Sequence, residues 1–174
     1  VSKIEDRTKH IIYLIHRYSE DPQFIIKARQ VVSQRCGQDW CVAPHDYQGE
    51  IQAVWDFVKH NLRYVRDHAT KDTYFNPEAN LRSHGGDCDD GTITFGSLVR
   101  GIGYQFMLVV IRTKGKRDFN HIYGMVNANP RGQPRWLPID TSVDWVMRHG
   151  QRVRSYPGWE APASTVAEKR YFRV

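Results

Sequence analysis

Apolar residues recur at helical spacing in three segments of the first third of the chain, with the polar stretch GQDWCVAPHD between the second and the third. Such a stripe is typical of an amphipathic helix. The positions are Ile11, Ile12, Leu14, Ile15 and Tyr18, then Phe24, Ile25, Ala28, Val31 and Val32, then Ile51, Val54, Trp55, Val58 and Leu62. Asp21-Pro22 gives the second helix a start, and we expect it to end near Gly37. We predict a layer of core-packing helices with no role in chemistry.

The pattern changes in the second half of the chain. Residues 64–87 lack periodicity, which predicts a long ordered loop. Residues 88–100 again show helical spacing, and Gly101-Ile102-Gly103 ends that helix. Residues 104–112 and 119–127 are typical of strands, and RWLPI forms a third short strand that ends at Asp140. Helices followed by consecutive strands predict an α+β fold, with one helix lying across an antiparallel meander.

The length of 174 residues fits a single domain. We predict a core at about 46–145, a helical N-terminal extension at 1–45, and a tail at 146–174 that wraps the surface or docks on a partner. No apolar run approaches the roughly 20 residues that cross a bilayer. The first ten residues lack a secretory pattern. We expect a cytoplasmic or virion-associated protein, and secretion after removal of a signal stays open.

Charge divides the chain. Residues 1–99 hold 12 Lys and Arg against 14 Asp and Glu, whereas residues 100–174 hold 13 against 5. A basic half can attract nucleic acid, anionic surfaces or acidic proteins. No basic helix or RNA-binding signature accompanies it, so we predict a solvated basic face and no specific nucleic-acid binding.

The three cysteines are an odd number, which argues against a disulfide framework. Cys36 and Cys41 could pair in an oxidising compartment, or they could form a zinc knuckle with His45 for which no fourth ligand is in place. Structural thiols, buried or paired, are the interpretation we favour. Either way Cys88 stays free.

Cys88 follows a Gly-Gly turn in the segment GGDCDDG, at the predicted start of a helix. The unpaired N–H groups there favour a thiolate and can bond an oxyanion. Three neighbouring carboxylates oppose this, because like charges raise the pKa of a thiol. We favour Asp87 as the cap of the helix, with Asp89 and Asp90 in its first turn. The alternative is that Asp87 and Asp89 hold calcium; no other cofactor is predicted.

His121 lies within an apolar, alternating strand, where an ionisable side chain is costly without a partner. The next strand returns beside it and ends at Asp140, whose carboxylate could fix the tautomer and orientation of the imidazole. We therefore predict Cys88 as nucleophile, His121 as base and Asp140 as the orienting group.

The stretch from about Trp55 to Asp140 resembles the transglutaminase-like superfamily, and GGDCDD with Phe75-Asn76-Pro77 before it is most similar to small bacterial and phage-encoded members. The matching motifs are Trp55-Asp56-Phe57-Val58, Tyr64-Val65-Arg66-Asp67, Gly86-Asp87-Cys88, Gly101-Ile102-Gly103, Asn120-His121-Ile122-Tyr123 and Trp136-Leu137-Pro138-Ile139-Asp140. The resemblance implies a thiol-bearing helix on an antiparallel sheet and a papain-like triad of Cys88, His121 and Asp140. Some bacterial members are calcium-dependent proteinases, which would give Asp87 and Asp89 a ligand role.

Two features depart from the family. Gly91 and Gly96 lie within the thiol helix, where close packing would explain them. The side chain that completes the oxyanion hole is not evident; Tyr64 and Trp55 are candidates, although we expect both in the core.

The predicted function is an amide-bond enzyme that works through an acyl-thioester, acting on a protein or peptide. Water as acceptor gives a peptidase or amidase, a lysine amine gives crosslinking, and the sequence does not decide between them. The alternative is a phage virion or assembly protein that keeps the fold and docks on virion partners.

Overall fold

The computed structural model describes residues 3–66 and 76–174. The helices are α1 (Lys3–Ser19), α2 (Pro22–Val32), α3 (Tyr47–Asn61), α4 (Pro77–Ser83) and α5 (Cys88–Gly101). The strands are β1 (Arg35–Cys36), β2 (Asp39–Trp40), β3 (Arg63–Tyr64), β4 (Gly85–Gly86), β5 (Phe106–Thr113), β6 (His121–Asn127), β7 (Trp136–Ile139), β8 (Trp145–Arg148), β9 (Gln151–Arg154) and β10 (Val166–Arg173). The prediction of a mixed fold of helices and antiparallel strands is confirmed. Within these ranges, every helix is too short or too polar to span a bilayer.

A four-stranded antiparallel sheet in the order β10-β5-β6-β7 organises the fold. Its central strands are apolar because both faces are covered: Leu108 and Val110 belong to the main core, and Val109 and Ile111 to a small second cluster. Antiparallel pairing sets Ile111 opposite His121. His121 is therefore the first residue of its strand, at one end of the sheet.

Helix α5 is the buried centre of the helical layer, and it contacts α1, α2, α3, α4 and β6. Its glycines allow this close approach. A Cβ added to Gly96 would lie 2.6 Å from the ring of Phe106, and a Cβ on Gly124 of β6 would overlap the same ring. The ring thus fills the narrow space between helix and strand, which is why neither position admits a larger residue.

The first three helices follow the predicted apolar stripes, and their buried residues join the main core. Asp21 caps α2 by accepting the backbone N–H groups of Gln23 and Phe24. The expected end of this helix near Gly37 is wrong, since α2 ends at Val32 and a short hairpin of β1 and β2 follows.

Cys36 and Cys41 form a disulfide across this hairpin, and Cys88 is the free cysteine of the described residues. The interpretation as paired structural thiols is confirmed, and the zinc knuckle with His45 is wrong because both sulfurs are bonded to each other. The bridge encloses a short loop, so its entropic contribution to stability is small, on the order of 2 kcal/mol.

The segment 64–87 is not a continuous loop. Pro77–Ser83 is a helix, capped by the side chain of Asn76, which accepts the N–H of Ala79. Asn-Pro at a helix start is a signal that the loop interpretation overlooked. Strands β3 and β4 pair in parallel and bring Tyr64 beside Gly86. Asp67 and Phe75 of the motifs quoted above lie outside the described residues.

The tail from residue 146 contributes strands, and its predicted role in wrapping the surface or docking on a partner stays a prediction. Val166–Arg173 pairs along β5 as an edge strand of the main sheet, and Phe172 packs against the core. Charged residues dominate this strand, as is usual at sheet edges, and they mask its apolar alternation in the sequence. Residues 145–154 form a separate hairpin of β8 and β9.

Candidate active site

Cys88 is the first residue of α5 and lies within a capping box that Asp87 and Asp90 form. The Asp87 carboxylate accepts the N–H of Asp89 at 2.9 Å and that of Asp90 at 3.2 Å, while the Asp90 carboxylate accepts the N–H of Asp87 at 3.2 Å. The interpretation of Asp87 as a helix cap is confirmed. The N–H of Gly91 bonds the carbonyl of Asp87. Among the described residues the N–H of Cys88 has no partner, which makes it the donor available at the helix start.

The surroundings of Cys88 hold its pKa well above that of an ordinary thiol. Burial is the main cause, followed by the negative charges of Asp89 and Asp87, whereas the backbone N–H of Ile122 and the guanidinium of Arg7 act in the opposite direction. The sulfur lies 3.5 Å from the Asp89 carboxylate. Burial and the two carboxylates together therefore outweigh Ile122 and Arg7, and the resting group at neutral pH is a thiol.

His121 and Asp140 are brought together as predicted. Nε2 of His121 lies 2.6 Å from Oδ2 of Asp140, whose side chain is only 3% exposed. The other oxygen of Asp140 accepts the N–H of Ser142 at 3.1 Å and its hydroxyl at 2.6 Å. The carboxylate is thus fixed on both oxygens, and Nδ1 of His121 is the nitrogen left for chemistry.

The thiol lies beside the strand that carries His121, because the backbone N–H of Ile122 is close enough to lower the pKa of the thiol. No direct hydrogen bond joins sulfur and imidazole among the described residues. In the resting site the thiol is held by Asp89 and by the backbone, and the imidazole by Asp140. Catalytic hydrogen bonds are often long in a free enzyme and tighten with substrate.

Lys59 of α3 fixes the loop that follows Asp140. Its ammonium donates to the carbonyls of Thr141 at 2.7 Å and Val143 at 3.2 Å, and to the carboxylate of Asp144 at 2.6 Å. The hydroxyl of Thr141 also lies where a Cβ on Gly91 would lie. Helices α3 and α5 therefore both define where this loop sits. The role of Lys59 was not visible in the sequence, because this residue lies 82 positions before Thr141.

Arg7 of α1 reaches the carboxylate beside the thiol. Its guanidinium bonds Oδ2 of Asp89 through Nη2 at 2.6 Å and Nε at 2.8 Å, and the Asp89 side chain is 2% exposed. The prediction that the first helices only pack the core is wrong for this residue. A single arginine 82 residues before its partner gives no signal in one sequence.

The two side chains that are candidates for the oxyanion hole, Trp55 and Tyr64, differ in burial. Trp55 is buried in the core as expected. Tyr64 is not a core residue: it is 44% exposed, and its pKa is raised by partial burial and by the nearby charges of Cys88 and Asp87. The electrostatic effect of Cys88 on this phenol shows that Tyr64 lies in the neighbourhood of the thiol, and it stays a candidate for the oxyanion hole.

The calcium candidates lie close together, since ligand atoms of Asp87, Cys88 and Asp89 are within 4.8 Å of one another. Their carboxylates already serve the helix cap and Arg7. A cation would compete with both, and the calcium site stays a prediction.

No protein-family model matches the chain, and no curated protein matches it. Its fold is similar to that of a candidate cysteine protease from Cytophaga hutchinsonii, with 17% identity over 99% of this chain and 54% of that one and a TM-score of 0.51. A candidate protease from Parabacteroides distasonis gives 14% identity over 72% of this chain and 25% of that one, with a TM-score of 0.50. The chain thus spans about half and a quarter of their lengths. At these identities the likeness shows the fold alone, which is consistent with a papain-like fold.

Proposed function

We propose that the chain is a cysteine peptidase of the transglutaminase-like class, with Cys88, His121 and Asp140 as its triad. The observation that carries the proposal is the 2.6 Å bond between His121 and the buried Asp140, beside the helix start that bears Cys88. A buried carboxylate needs hydrogen-bond partners in any role, but here one partner is an imidazole at the start of the strand beside the thiol helix, which is the pairing that a thiol triad uses. The names given to the two similar structures favour hydrolysis over transfer to an amine.

The chemistry begins from a neutral thiol. Nδ1 of His121 accepts the thiol proton as the sulfur attacks the peptide carbonyl, and Asp140 stabilises the imidazolium that forms. The oxyanion is held by the N–H of Cys88 and by the hydroxyl of Tyr64. His121 then donates the proton to the leaving amine, and water hydrolyses the thioester.

Cleavage of a peptide library, followed by mass spectrometry, tests the proposal. The wild-type protein should release new termini and, at short times, carry an acyl group on Cys88. Cys88→Ala and His121→Ala should remove both signals with little change in melting temperature. His10→Ala, an exposed histidine of α1, is the matched control and should cleave normally. Cleavage that survives Cys88→Ala would end the proposal.

The disulfide supports a second proposal, on location. Such bonds persist in oxidising compartments, so we propose a location outside the cytosol, which the sequence analysis left open, in preference to the cytoplasmic location expected there. Mass spectrometry of non-reduced protein from its native source should show Cys36 and Cys41 joined; two free thiols would contradict it. The virion or assembly alternative stays a prediction, and no observation here favours it.

A further inference from the structure

A cleft of about 380 Å³ lies between α1, the turn from β5 to β6, and β10. We call it the basic cleft. Five cations line it, against two carboxylates, Asp118 and Glu168. The cations are Lys3, Arg7, Arg112, Arg117 and Arg170.

Internal ion pairs neutralise only part of this charge. Glu168 lies 2.8 Å from Arg170 and 3.5 Å from Arg112, and Arg7 is directed to Asp89. Among the described residues, Lys3 and Arg117 make no ion pair. The cleft therefore has an excess of positive charge. The contacts of Glu168 with Arg112 and Arg170 show how the carboxylate of a ligand would be bound there.

The cleft adjoins the candidate active site. Arg7 belongs to its lining and bonds Asp89, whose carboxylate is 3.5 Å from the sulfur of Cys88. Phe119 of the lining precedes His121 by two residues, so their Cα atoms are at most about 7 Å apart. This closeness allows a substrate held at the thiol to extend a nearby side chain into the cleft.

The chemistry of the lining points to an amino-acid side chain rather than to a bare anion. Phe119 gives the cleft an apolar wall, and the guanidinium of Arg170 lies 4.8 Å from the centre of its ring. A glutamate can place its methylene groups against the ring and its carboxylate among the guanidinium groups.

We infer that the basic cleft is a specificity subsite that binds an acidic side chain of the peptide substrate, near the bond that Cys88 attacks. The inference rests on the proposed peptidase function. It names acidic polypeptide segments as the substrate class and the residues of the basic cleft as the group that selects them.

Fluorescence polarisation tests binding without turnover. The protein used is the Cys88→Ala variant. The probes are two labelled peptides of otherwise identical sequence, one with Glu at three positions and the other with Gln at the same positions. We expect the Glu peptide to bind at least about tenfold more tightly at low salt, and to weaken as salt screens the charges. Arg117→Glu, in the exposed turn, should remove the preference, whereas Arg131→Glu, an exposed arginine of another turn, should keep it. Glu168→Gln should strengthen binding, because it removes the carboxylate that now occupies Arg112 and Arg170.

Several outcomes would overturn the subsite. One is equal affinity for the two peptides, and another is an equal loss of Glu-peptide affinity in Arg117→Glu and Arg131→Glu. A third is tighter binding of a nucleic acid or an anionic vesicle than of the Glu peptide, with the same dependence on Arg117. If wild-type protein cleaves both peptides equally well, the peptidase proposal stands and the subsite fails. If the Glu peptide binds the cleft and is never cleaved or acylated onto Cys88, both proposals fail.

Discussion

Single residues of the candidate triad differ in how far their surroundings prepare them for reaction. Asp140 is fixed on both oxygens and in turn fixes His121. Cys88 is not prepared in this way, because burial and two aspartates keep it protonated. A thiolate at rest would react with many electrophiles, whereas a thiol that loses its proton only to His121 reacts when a substrate is in place.

This difference predicts the pH dependence of alkylation. Because the pKa of Cys88 is raised, its thiolate fraction is smaller than that of an ordinary thiol at every pH below the raised value. We expect the rate constant with iodoacetamide to keep rising beyond pH ~10, where an ordinary thiol of pKa ~8.5 has levelled off. Asp89→Asn should shift the profile to lower pH, and N-acetylcysteine in the same buffers is the control. A plateau below pH 8 would contradict the prediction.

At the scale of elements, the site depends on how closely α5 approaches the loop after β7. Gly91 touches the side chain of Thr141, next to Asp140 in the chain. The two glycines of this helix looked unfavourable in the sequence, and the structure explains both by close contacts, Gly91 with Thr141 and Gly96 with Phe106.

Alanine substitution separates packing from helix propensity. Gly91→Ala should lower the free energy of unfolding by about 1–3 kcal/mol, because the new methyl group overlaps Thr141. Gly101→Ala is the control in the same helix; its methyl would make an ordinary 3.5 Å contact with Ile25 and should gain stability through helix propensity, by up to about 1 kcal/mol. Chemical denaturation measures both. Adding Thr141→Ala should restore much of the loss in Gly91→Ala, and failure to do so would show that the contact is not the cause.

The loop after β7 also contacts Lys59 of α3, and this contact predicts an effect of Lys59 on activity. Lys59→Met removes the ammonium that binds two carbonyls and Asp144. If the loop then loses its fixed position, Asp140 orients His121 less well, and kcat for peptide cleavage should fall by about tenfold or more. Lys27→Met, an exposed lysine of α2, should have no effect. An unchanged kcat in Lys59→Met would show that the loop holds Asp140 without it.

The fold was largely predictable because its elements carry local signals. Apolar stripes marked α1, α2, α3 and α5, and β-branched runs marked β5 and β6. Contacts between distant residues gave no such signal. The pairing of β10 with β5, the bond from Arg7 to Asp89 and the position of Lys59 each join residues more than 50 positions apart. The triad was inferred because each member stands at the end of a predictable element, whereas its supporting residues do not.

Across the whole molecule, Arg7 links the N-terminal helix to the reacting group. Its guanidinium compensates the buried charge of Asp89, and that compensation lowers the pKa of Cys88. The first helix therefore contributes a side chain to the candidate active site. Removing the guanidinium should affect stability and thiol chemistry together.

A double-mutant cycle tests this link. Arg7→Met should lower the free energy of unfolding by about 2 kcal/mol, less than for a fully buried pair because the Arg7 side chain is 27% exposed. It should also slow alkylation of Cys88 at pH 8, since the thiol pKa rises without the nearby cation. Adding Asp89→Asn should reverse both effects, because the charge that Arg7 compensates is then absent. Arg29→Met, an exposed arginine of α2, controls for loss of a surface cation. If Arg7→Met alters stability and leaves the alkylation profile of Cys88 unchanged, the ion pair is a packing feature, and α1 has no electrostatic role at the thiol.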